Sequence, residues 1–173
     1  MLTYNDSLLD HYRPLTLSNI LAAILALLLI GWGIYRAINN AKTAANNLAK
    51  AQQFLRDNAT REGVYSTDSG LQYLVLTRGD SQHRPMADSR VTVHYHGTLS
   101  DGTVFDSSIQ RGEPISFTLN QVIKGWTEGL QLMSPGDKYR LFIPPQLAYG
   151  RRSMGAIAAN SALIFDVELL SYE

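Results

Sequence analysis

The chain has 173 residues, its 15 lysines and arginines balance 15 aspartates and glutamates, and it contains no cysteine. This length suits one compact domain with an additional segment. The balanced charge argues against a nucleic-acid partner, because no basic field would attract a phosphate backbone. The lack of cysteine excludes disulfides, thiolate metal sites and a cysteine nucleophile.

A short leader, residues 1–14, precedes a segment without any charged side chain, residues 15–35. As a helix this segment would span roughly 31 Å at ~1.5 Å per residue, about the thickness of a bilayer core. Trp32 and Tyr35 lie near its second edge, where amphipathic rings favour the membrane interface. We expect an uncleaved transmembrane helix. The alternative is a cleavable signal peptide, which has a shorter apolar run and a more basic leader.

The next segment, residues 36–61, is rich in alanine and lacks proline and glycine, a composition that favours helix. Six of its residues alternate spacings of three and four, as in a coiled-coil seam: Ile38, Ala41, Ala45, Leu48, Gln52 and Leu55. One interpretation is a self-association helix, which would make a homodimer or dock on a membrane-complex partner. The other is a solvated stalk, because alanine buries little apolar area.

From residue 62 onward, short runs of alternating apolar residues predict β-strands. Turn dipeptides such as Asp101-Gly102 and Pro135-Gly136 separate the runs. Residues 121–133 instead place apolar side chains three and four positions apart, which predicts one face of a short helix. An antiparallel sheet wrapped on one helix is an α+β domain.

This domain contains no nucleophile elbow, phosphate-binding loop or paired carboxylates in its sequence pattern. His94 and His96 alternate along a strand and could chelate a metal, but no third ligand lies near them. We therefore expect neither a metal nor a cofactor. Five aromatic residues occupy inward-facing positions, and they form either a core or an apolar pocket: Tyr95, Phe105, Trp126, Tyr149 and Phe165.

Five blocks of sequence, in order, closely resemble the family of FK506-binding (FKBP) peptidyl-prolyl cis-trans isomerases: residues 91–99, 101–108, 122–129, 148–150 and 163–170. The similarity covers about residues 88–173, within a domain that we expect at residues 62–173. Upstream, Glu62-Gly63-Val64 and the stretch from Ser69 to Tyr73 look like the bacterial branch that contains macrophage infectivity potentiator (Mip) proteins.

The resemblance implies a half-wrapped antiparallel sheet around a short helix, with a proline pocket between them. It also implies a rotamase that acts as a folding catalyst or chaperone on proline-containing polypeptides and needs no cofactor. The same pocket would be the site for an FK506-like macrolide.

Carried over by motif, six residues would be catalytic: Tyr95, Phe105, Asp106, Trp126, Tyr149 and Phe165. Five would contact substrate: Arg111, Ile115, Val122, Ile123 and Ile157. Trp126 would form the floor of the pocket, between walls made by Phe105 and Phe165. The backbone N–H of Ile123 and the hydroxyl of Tyr149 would hold substrate carbonyls, and the Asp106 carboxylate would shape the rim with its neighbours rather than act as a base.

Such a reaction requires no reactive side chain. The barrier to X-Pro rotation comes from amide resonance and is about 18–20 kcal/mol. An apolar pocket disfavours the polar planar amide more than the twisted transition state, which fixed hydrogen bonds can then hold. A thousandfold acceleration needs only about 4 kcal/mol of such differential stabilisation.

Two positions depart from the family pattern. Ile157-Ala158-Ala159 stands where many members carry prolines, and Ile115 stands where many carry an aromatic residue. We expect a less rigid loop and an altered preference for substrates and macrolides. These departures, together with the membrane segment, keep a second function open, namely a non-catalytic binding or scaffold subunit of a membrane complex that retains the fold.

Two indications of membrane orientation disagree. One basic residue, Arg13, precedes the span, whereas Arg36, Lys42 and Lys50 follow it, so the positive-inside rule favours a cytoplasmic C-terminal side. Members of the resembled branch that have N-terminal apolar segments are usually exported. On that ground we expect a single-pass protein of the bacterial inner membrane with its catalytic domain in the periplasm.

Overall fold

The computed structural model describes residues 16–173, so the predicted leader, residues 1–14, lies outside the described residues. One long helix, α1, runs through Leu17–Ala59. The chain divides into two compact units, the first ending at Lys42 and the second running from Thr43 to Glu173. The second unit therefore includes the last part of α1, which the sequence analysis assigned to the stalk.

In the first unit, helix α1 is apolar and exposed. An 18-residue window of it has a mean hydropathy of 2.2, and none of that window is buried. The guanidinium of Arg36 lies 5.3 Å from the centroid of the Trp32 ring, at the end of the predicted span. Within residues 16–173 this is the one helix whose length and composition suit a membrane crossing, properties that a signal sequence shares.

The second unit contains a sheet of seven strands: β1 Val64–Ser66, β2 Gln72–Thr77, β3 Arg90–Leu99, β4 Val104–Ser107, β5 Ile115–Thr118, β6 Lys138–Ile143 and β7 Leu163–Tyr172. Every pairing is antiparallel. The strand order is β1-β2-β6-β7-β3-β4, and β5 pairs separately with β3. The predicted α+β fold with an open antiparallel sheet is confirmed.

The two central strands, β3 and β7, show why the sheet has one core face. Alternate side chains are buried along both strands, as the period-two pattern predicts. In the register between them, Tyr95 lies opposite Val167 and Gly97 lies opposite Phe165. This pairing places two aromatic residues of the predicted site on neighbouring strands of the core face.

Helix α3, Lys124–Leu130, lies on this core face, and a shorter helix, α2, occupies Ser108–Arg111. The predicted helix over residues 121–133 is longer than α3. Residue 121 ends a 3₁₀ turn at Leu119–Gln121, residues 122–123 are extended, and residues 131–133 follow the helix as a turn. Glycine lets α3 approach strand β6 closely. A Cβ atom on Gly125 would lie only 2.4 Å from Cγ2 of Ile143.

The last part of α1 packs on the opposite face of the sheet. Asn58 is buried, and its Nδ2 donates to Oε1 of Gln72 on β2 at 2.8 Å. Nε2 of Gln72 donates in turn to the carbonyl of Leu55 at 2.8 Å. The ring of Phe54 lies 6.1 Å from that of Phe142 on β6. The sheet thus separates α3 from the last part of α1.

Most of the predicted seam of α1 lies off the face that contacts the sheet. Leu48 is 37% exposed, whereas Ala51 and Asn58 are buried. From Thr43 onward Leu55 is the one seam residue that is half-buried, and its carbonyl accepts from Gln72. Self-association and a solvated stalk are both compatible with this packing.

Candidate active site

A cavity of about 720 Å³ opens on the core face of the sheet. Strands β3, β4 and β7, helix α3 and the segments beside them all contribute to it. Its lining residues are Tyr95, Phe105, Asp106, Gln121, Val122, Ile123, Trp126, Tyr149, Met154, Gly155, Ala156, Ile157 and Phe165. Most of these side chains are apolar or aromatic, so the cavity favours a compact apolar group.

Trp126 of α3 lies at the base of the cavity and is 5% exposed. Its ring centroid lies 5.1 Å from that of Tyr95, 5.2 Å from Phe117 and 5.0 Å from Phe165. Its Nε1 is buried without a hydrogen-bond partner among the described residues. Packing therefore holds the indole without a hydrogen bond from Nε1 to any residue of 16–173, and two of its ring contacts are the edge-to-face type that aromatic quadrupoles favour.

Phe105 and Phe165 form the sides of the cavity. Their centroids lie 5.3 Å apart and the rings are nearly perpendicular, at 86°. Gly97 lies directly behind them, and a Cβ atom there would come within 2.8 Å of Phe105 and 2.9 Å of Phe165. The two rings occupy their positions because residue 97 lacks a side chain.

Replacing Gly97 with alanine is therefore expected to push both rings towards the cavity. We expect kcat/KM for the rotamase activity that the family resemblance implies to fall about tenfold, while overpacking destabilises the fold by about 1–3 kcal/mol. Thr98→Ala is the matched control, because the neighbouring side chain of the same strand faces the other side of the sheet. Kinetics and thermal unfolding of both variants test this, and equal rates for Gly97→Ala and wild type would contradict it.

Three side chains form a polar network at the rim. The hydroxyl of Tyr95 donates to Oδ2 of Asp106, and the guanidinium of Arg111 donates to Oδ1 of Asp106 and, at 3.0 Å, to Oη of Tyr95. Burial, together with the hydrogen bond to the Asp106 carboxylate, raises the pKa of Tyr95. Partial burial acts to raise the pKa of Asp106, but hydrogen bonds from Tyr95 and Arg111 outweigh it and lower that pKa. Asp106 is thus an ionised acceptor and a poor base.

This network has an expected pH dependence. The pKa of Asp106 is lower in the folded chain than its ordinary value of about 3.9, so its carboxylate stabilises the fold above about pH 4. That stabilisation is lost as the pH falls through the folded-state pKa. Asp106→Asn should therefore lower the free energy of unfolding at about pH 7, and the gap to wild type should close towards about pH 3.

Urea unfolding of wild type and Asp106→Asn in detergent, across this pH range, measures that gap. The matched control is Asp88→Asn, since Asp88 is exposed and makes no hydrogen bond or ion pair within residues 16–173. Its gap to wild type should be small at every pH. A gap for Asp106→Asn that is equally large at both ends of the range would contradict the expected role of the carboxylate.

Besides Nε1 of Trp126, the two donors that were predicted to hold substrate carbonyls also have no partner within residues 16–173. One is the backbone N–H of Ile123, which immediately precedes α3. The other is the hydroxyl of Tyr149, which follows the 3₁₀ turn at Pro145–Leu147. An apolar cavity with two unpaired donors can bind an apolar ring and the carbonyl groups beside it.

The structure brings nine of the eleven predicted site residues together around the cavity: Tyr95, Phe105, Asp106, Val122, Ile123, Trp126, Tyr149, Ile157 and Phe165. Arg111 does not line it, but it binds two side chains that do. Ile115 is on β5 opposite Val93, where it packs against the core instead of lining the cavity.

Four lining residues were not predicted: Gln121, Met154, Gly155 and Ala156. Gln121 immediately precedes the predicted Val122 and gave no signal of its own. Met154 and Ile157 exchange backbone hydrogen bonds of 2.8 and 2.9 Å, which makes a tight turn of the two residues between them. The glycine at position 155, with φ of 54°, is the signal that could have located this turn.

The two histidines of β3 do not belong to this cavity. Nδ1 of His94 lies 3.0 Å from Oγ of Ser108, and Nδ1 of His96 lies 3.0 Å from Oγ of Ser107. Among residues 16–173, no group of three or more histidine, aspartate or glutamate side chains could hold a metal. The metal-handling alternative therefore gains no further ligand in the described part of the chain.

Comparison with known families covers both units. The sequence model of the family described as FKBP-type peptidyl-prolyl cis-trans isomerase matches residues 81–170 of this chain. These residues include every residue that lines the cavity. The chain belongs to the FKBP-type peptidyl-prolyl cis-trans isomerase family. The model of the domain amino-terminal to this isomerase matches residues 32–75, so the FKBP relationship extends into helix α1.

Individual relatives place the chain in the predicted branch of the FKBP family. It is 55% identical over 132 residues to the FKBP-type isomerase FkpA of Aeromonas hydrophila, covering 76% of this chain and 49% of that protein. It is 48% identical over 126 residues to the isomerase Mip of Coxiella burnetii, covering 72% of this chain and 54% of that protein. The resemblance to the branch that contains Mip proteins is confirmed. The chain spans about half the length of these curated relatives.

Solved FKBP-type structures agree with this placement. The crystal structure of FkpA from Escherichia coli superposes with a TM-score of 0.82 at 40% identity, covering 97% of this chain and 78% of that one. The isomerase from Pseudomonas syringae superposes with a TM-score of 0.69 at 36% identity, covering 75% of this chain and 95% of that one.

Proposed function

We propose that this FKBP-family chain is a peptidyl-prolyl cis-trans isomerase that catalyses rotation about X-Pro bonds in polypeptides. The observation that carries the proposal is the aromatic cavity, with Trp126 at its base. Beside it lie the N–H of Ile123 and the hydroxyl of Tyr149, two donors that have no partner within residues 16–173. The FkpA and Mip relatives are themselves named as isomerases of this type.

In this proposal the proline ring of a substrate packs on Trp126, between Phe105 and Phe165. Removing the amide from water disfavours its polar planar form relative to the twisted transition state. The donors at Ile123 and Tyr149 hold the flanking carbonyls while the bond rotates, so their hydrogen bonds favour the twisted geometry. No proton is transferred and no covalent bond to the protein forms.

The proposal is tested with a protease-free prolyl isomerisation assay on the full chain in detergent micelles. Wild type should accelerate the exchange above the uncatalysed rate. Tyr149→Phe, which deletes one hydroxyl, should lower kcat/KM several-fold. Tyr65→Phe is the control, because Tyr65 is an exposed residue that does not line the cavity.

Folded wild-type protein that gives no rate above background would overturn the isomerase proposal and favour the second function, a non-catalytic scaffold subunit. A macrolide of the FK506 type should inhibit the wild-type rate, since we propose that it occupies the same cavity. Because Ala158 and Ala159 replace the prolines expected beside the cavity, the inhibition constant of the macrolide has to be measured separately.

We propose further that residues 15–35 anchor the chain in the bacterial inner membrane and that the isomerase domain faces the periplasm. The exposed, uncharged start of α1 supports an anchor. The orientation rests on the family resemblance, which implies that members with N-terminal apolar segments are exported. Protease added to intact spheroplasts should remove the domain, whereas protection would place it in the cytoplasm. The mass of the purified protein should include residues 15–35, whereas its absence would indicate a cleaved signal peptide.

We also propose that the seam of α1 pairs with a second copy of the chain. Exposure of Ile38 and Leu48 supports this, because each leaves a large apolar side chain in contact with solvent. Sedimentation of wild type in detergent should give a dimer, and Leu48→Glu should shift it to monomer. Monomeric wild type would favour the solvated stalk.

A further inference from the structure

The loop from Gly150 to Asn160 carries cavity residues but has little regular structure of its own. Its two ends are joined by one hydrogen bond, from the N–H of Asn160 to the carbonyl of Gly150, at 2.7 Å. Ile157 of this loop lines the cavity. Ala158 and Ala159 follow it, where the family resemblance led us to expect prolines. The position of Ile157 therefore depends on what holds the end of the loop.

Two asparagine side chains connect this end of the loop to helix α1. Nδ2 of Asn47, on the helix, donates to the carbonyl of Ala159 at 3.0 Å. Nδ2 of Asn160, in the loop, donates to the carbonyl of Ala44 at 2.9 Å. The exchange is reciprocal, since each segment supplies one side-chain donor and one backbone acceptor. We call these two hydrogen bonds the amide clasp.

The environment of the clasp favours its persistence. Asn160 is 9% exposed, and Ala44 and Asn47 are half-buried on a stretch of α1 whose other residues are exposed. Asn160 has φ of 61°, and among residues 16–173 it is the one residue other than glycine with positive φ. Asparagine tolerates this left-handed conformation better than most residues. The backbone N–H of Asn160 thus bonds to the start of the loop, and its side chain bonds to α1, so both hold the end of the loop in place.

We infer that Asn47 and Asn160 are positioning residues for the isomerase site, and that the clasp supplies the loop order that prolines would otherwise give. This inference rests on the proposed function. A loop that leaves its binding-competent position part of the time weakens apparent substrate affinity in proportion to the competent fraction. Loss of the clasp should therefore raise KM and leave kcat nearly unchanged, because the cavity base and its donors are not altered.

The variants that test this are Asn47→Ala and Asn160→Gly. The matched control is Asn46→Ala, on the adjacent exposed residue of α1, which makes no hydrogen bond with the loop. Both helix substitutions gain the same intrinsic helix propensity, so their difference isolates the clasp. Glycine at position 160 accepts positive φ, so Asn160→Gly deletes the donor without straining the backbone.

The first readout is amide hydrogen exchange in the full chain. The probes are three hydrogen-bonded amides of the loop, those of Met154, Ile157 and Asn160, and the amide of Ser161, which follows the loop and bonds to the carbonyl of Ala158. We expect these amides to exchange about five-fold faster in both clasp variants, the effect of about one lost hydrogen bond. Amides of the central strands β3 and β7 should exchange as in wild type, because the clasp does not contact them.

The second readout is isomerase kinetics, where KM should rise about three- to tenfold with kcat within about two-fold of wild type. Unchanged loop exchange in both variants overturns the inference, and so does faster exchange with unchanged KM. Faster exchange throughout the domain also overturns it, since it would show general destabilisation. Absence of wild-type activity would instead refute the proposed function, and loop exchange alone would then decide whether the clasp holds the loop.

Discussion

Trp126→Ala is expected to lower kcat/KM for prolyl isomerisation by about 30- to 100-fold. The indole makes ring contacts with three neighbours, Tyr95, Phe117 and Phe165, at centroid distances of 5.0–5.2 Å. Each such pair contributes about 0.5–1.5 kcal/mol, and each 1.36 kcal/mol is a factor of ten in rate. Without the indole, the proline ring of the substrate would lie over an enlarged cavity that water can enter. The amide bond before the proline would then keep more of its hydration.

The same change should destabilise the fold by about 3–5 kcal/mol, because it removes a large buried side chain. Trp126→Phe therefore accompanies it, since this variant keeps an aromatic base and removes an N–H that has no partner among residues 16–173. We expect Trp126→Phe to stay folded and to lose only a few-fold in kcat/KM. Wild-type kinetics in a folded Trp126→Ala protein would contradict the role given to the indole.

Asp137→Ala is expected to lower the free energy of unfolding by about 3–4 kcal/mol, through lost hydrogen bonds and not through a lost apolar side chain. The Asp137 side chain is 2% exposed. Its Oδ1 accepts from the N–H of Gly79 at 2.7 Å, and its Oδ2 accepts from the N–H of Ser134 at 2.9 Å. Alanine would leave the buried N–H of Ser134 and the half-buried N–H of Gly79 without this acceptor. It would also leave the guanidinium of Arg78 without its carboxylate, which lies 3.7 Å away.

Urea unfolding measures this loss, and Asp137→Asn refines it. Asparagine can accept one of the two hydrogen bonds but places an NH₂ group against the other N–H, so an intermediate loss is expected. Asp88→Ala, at an exposed aspartate, should change stability by less than about 0.5 kcal/mol. Asp137 does not line the cavity, so KM of the folded variant should equal that of wild type. A stability of Asp137→Ala close to that of wild type would contradict the argument.

The fold was largely predictable because apolar residues alternate along the strands with a period of two. Period-two burial along β3 and β7 is a property of any half-buried strand, so the sequence displays it directly. Helix α3 was predicted too long, because the apolar spacing that indicates a helix face does not distinguish α-helix from the 3₁₀ turn at Leu119–Gln121.

The candidate site was predictable where its residues lie in the five blocks of sequence that resemble the FKBP family. It was not predictable in the tight turn from Met154 to Ile157, which lies outside those blocks. Met154 and Ala156 reach the cavity through the mutual hydrogen bonds of Met154 and Ile157, which no local propensity specifies. Ile115 was expected at the pocket by family position, yet its pairing opposite Val93 directs it against the core.

The sequence by itself determined the apolar length of the N-terminal segment and the alternation of the strands, since both are properties of consecutive residues. Tertiary structure decided which face of α1 meets the sheet. The chosen face includes Asn58, which is polar and gives no hydrophobic signal, but its hydrogen bond with Gln72 makes burial favourable. The clasp between Asn47 and Asn160 likewise joins residues 113 positions apart, because helix α1 and the cavity loop meet only when the sheet has formed.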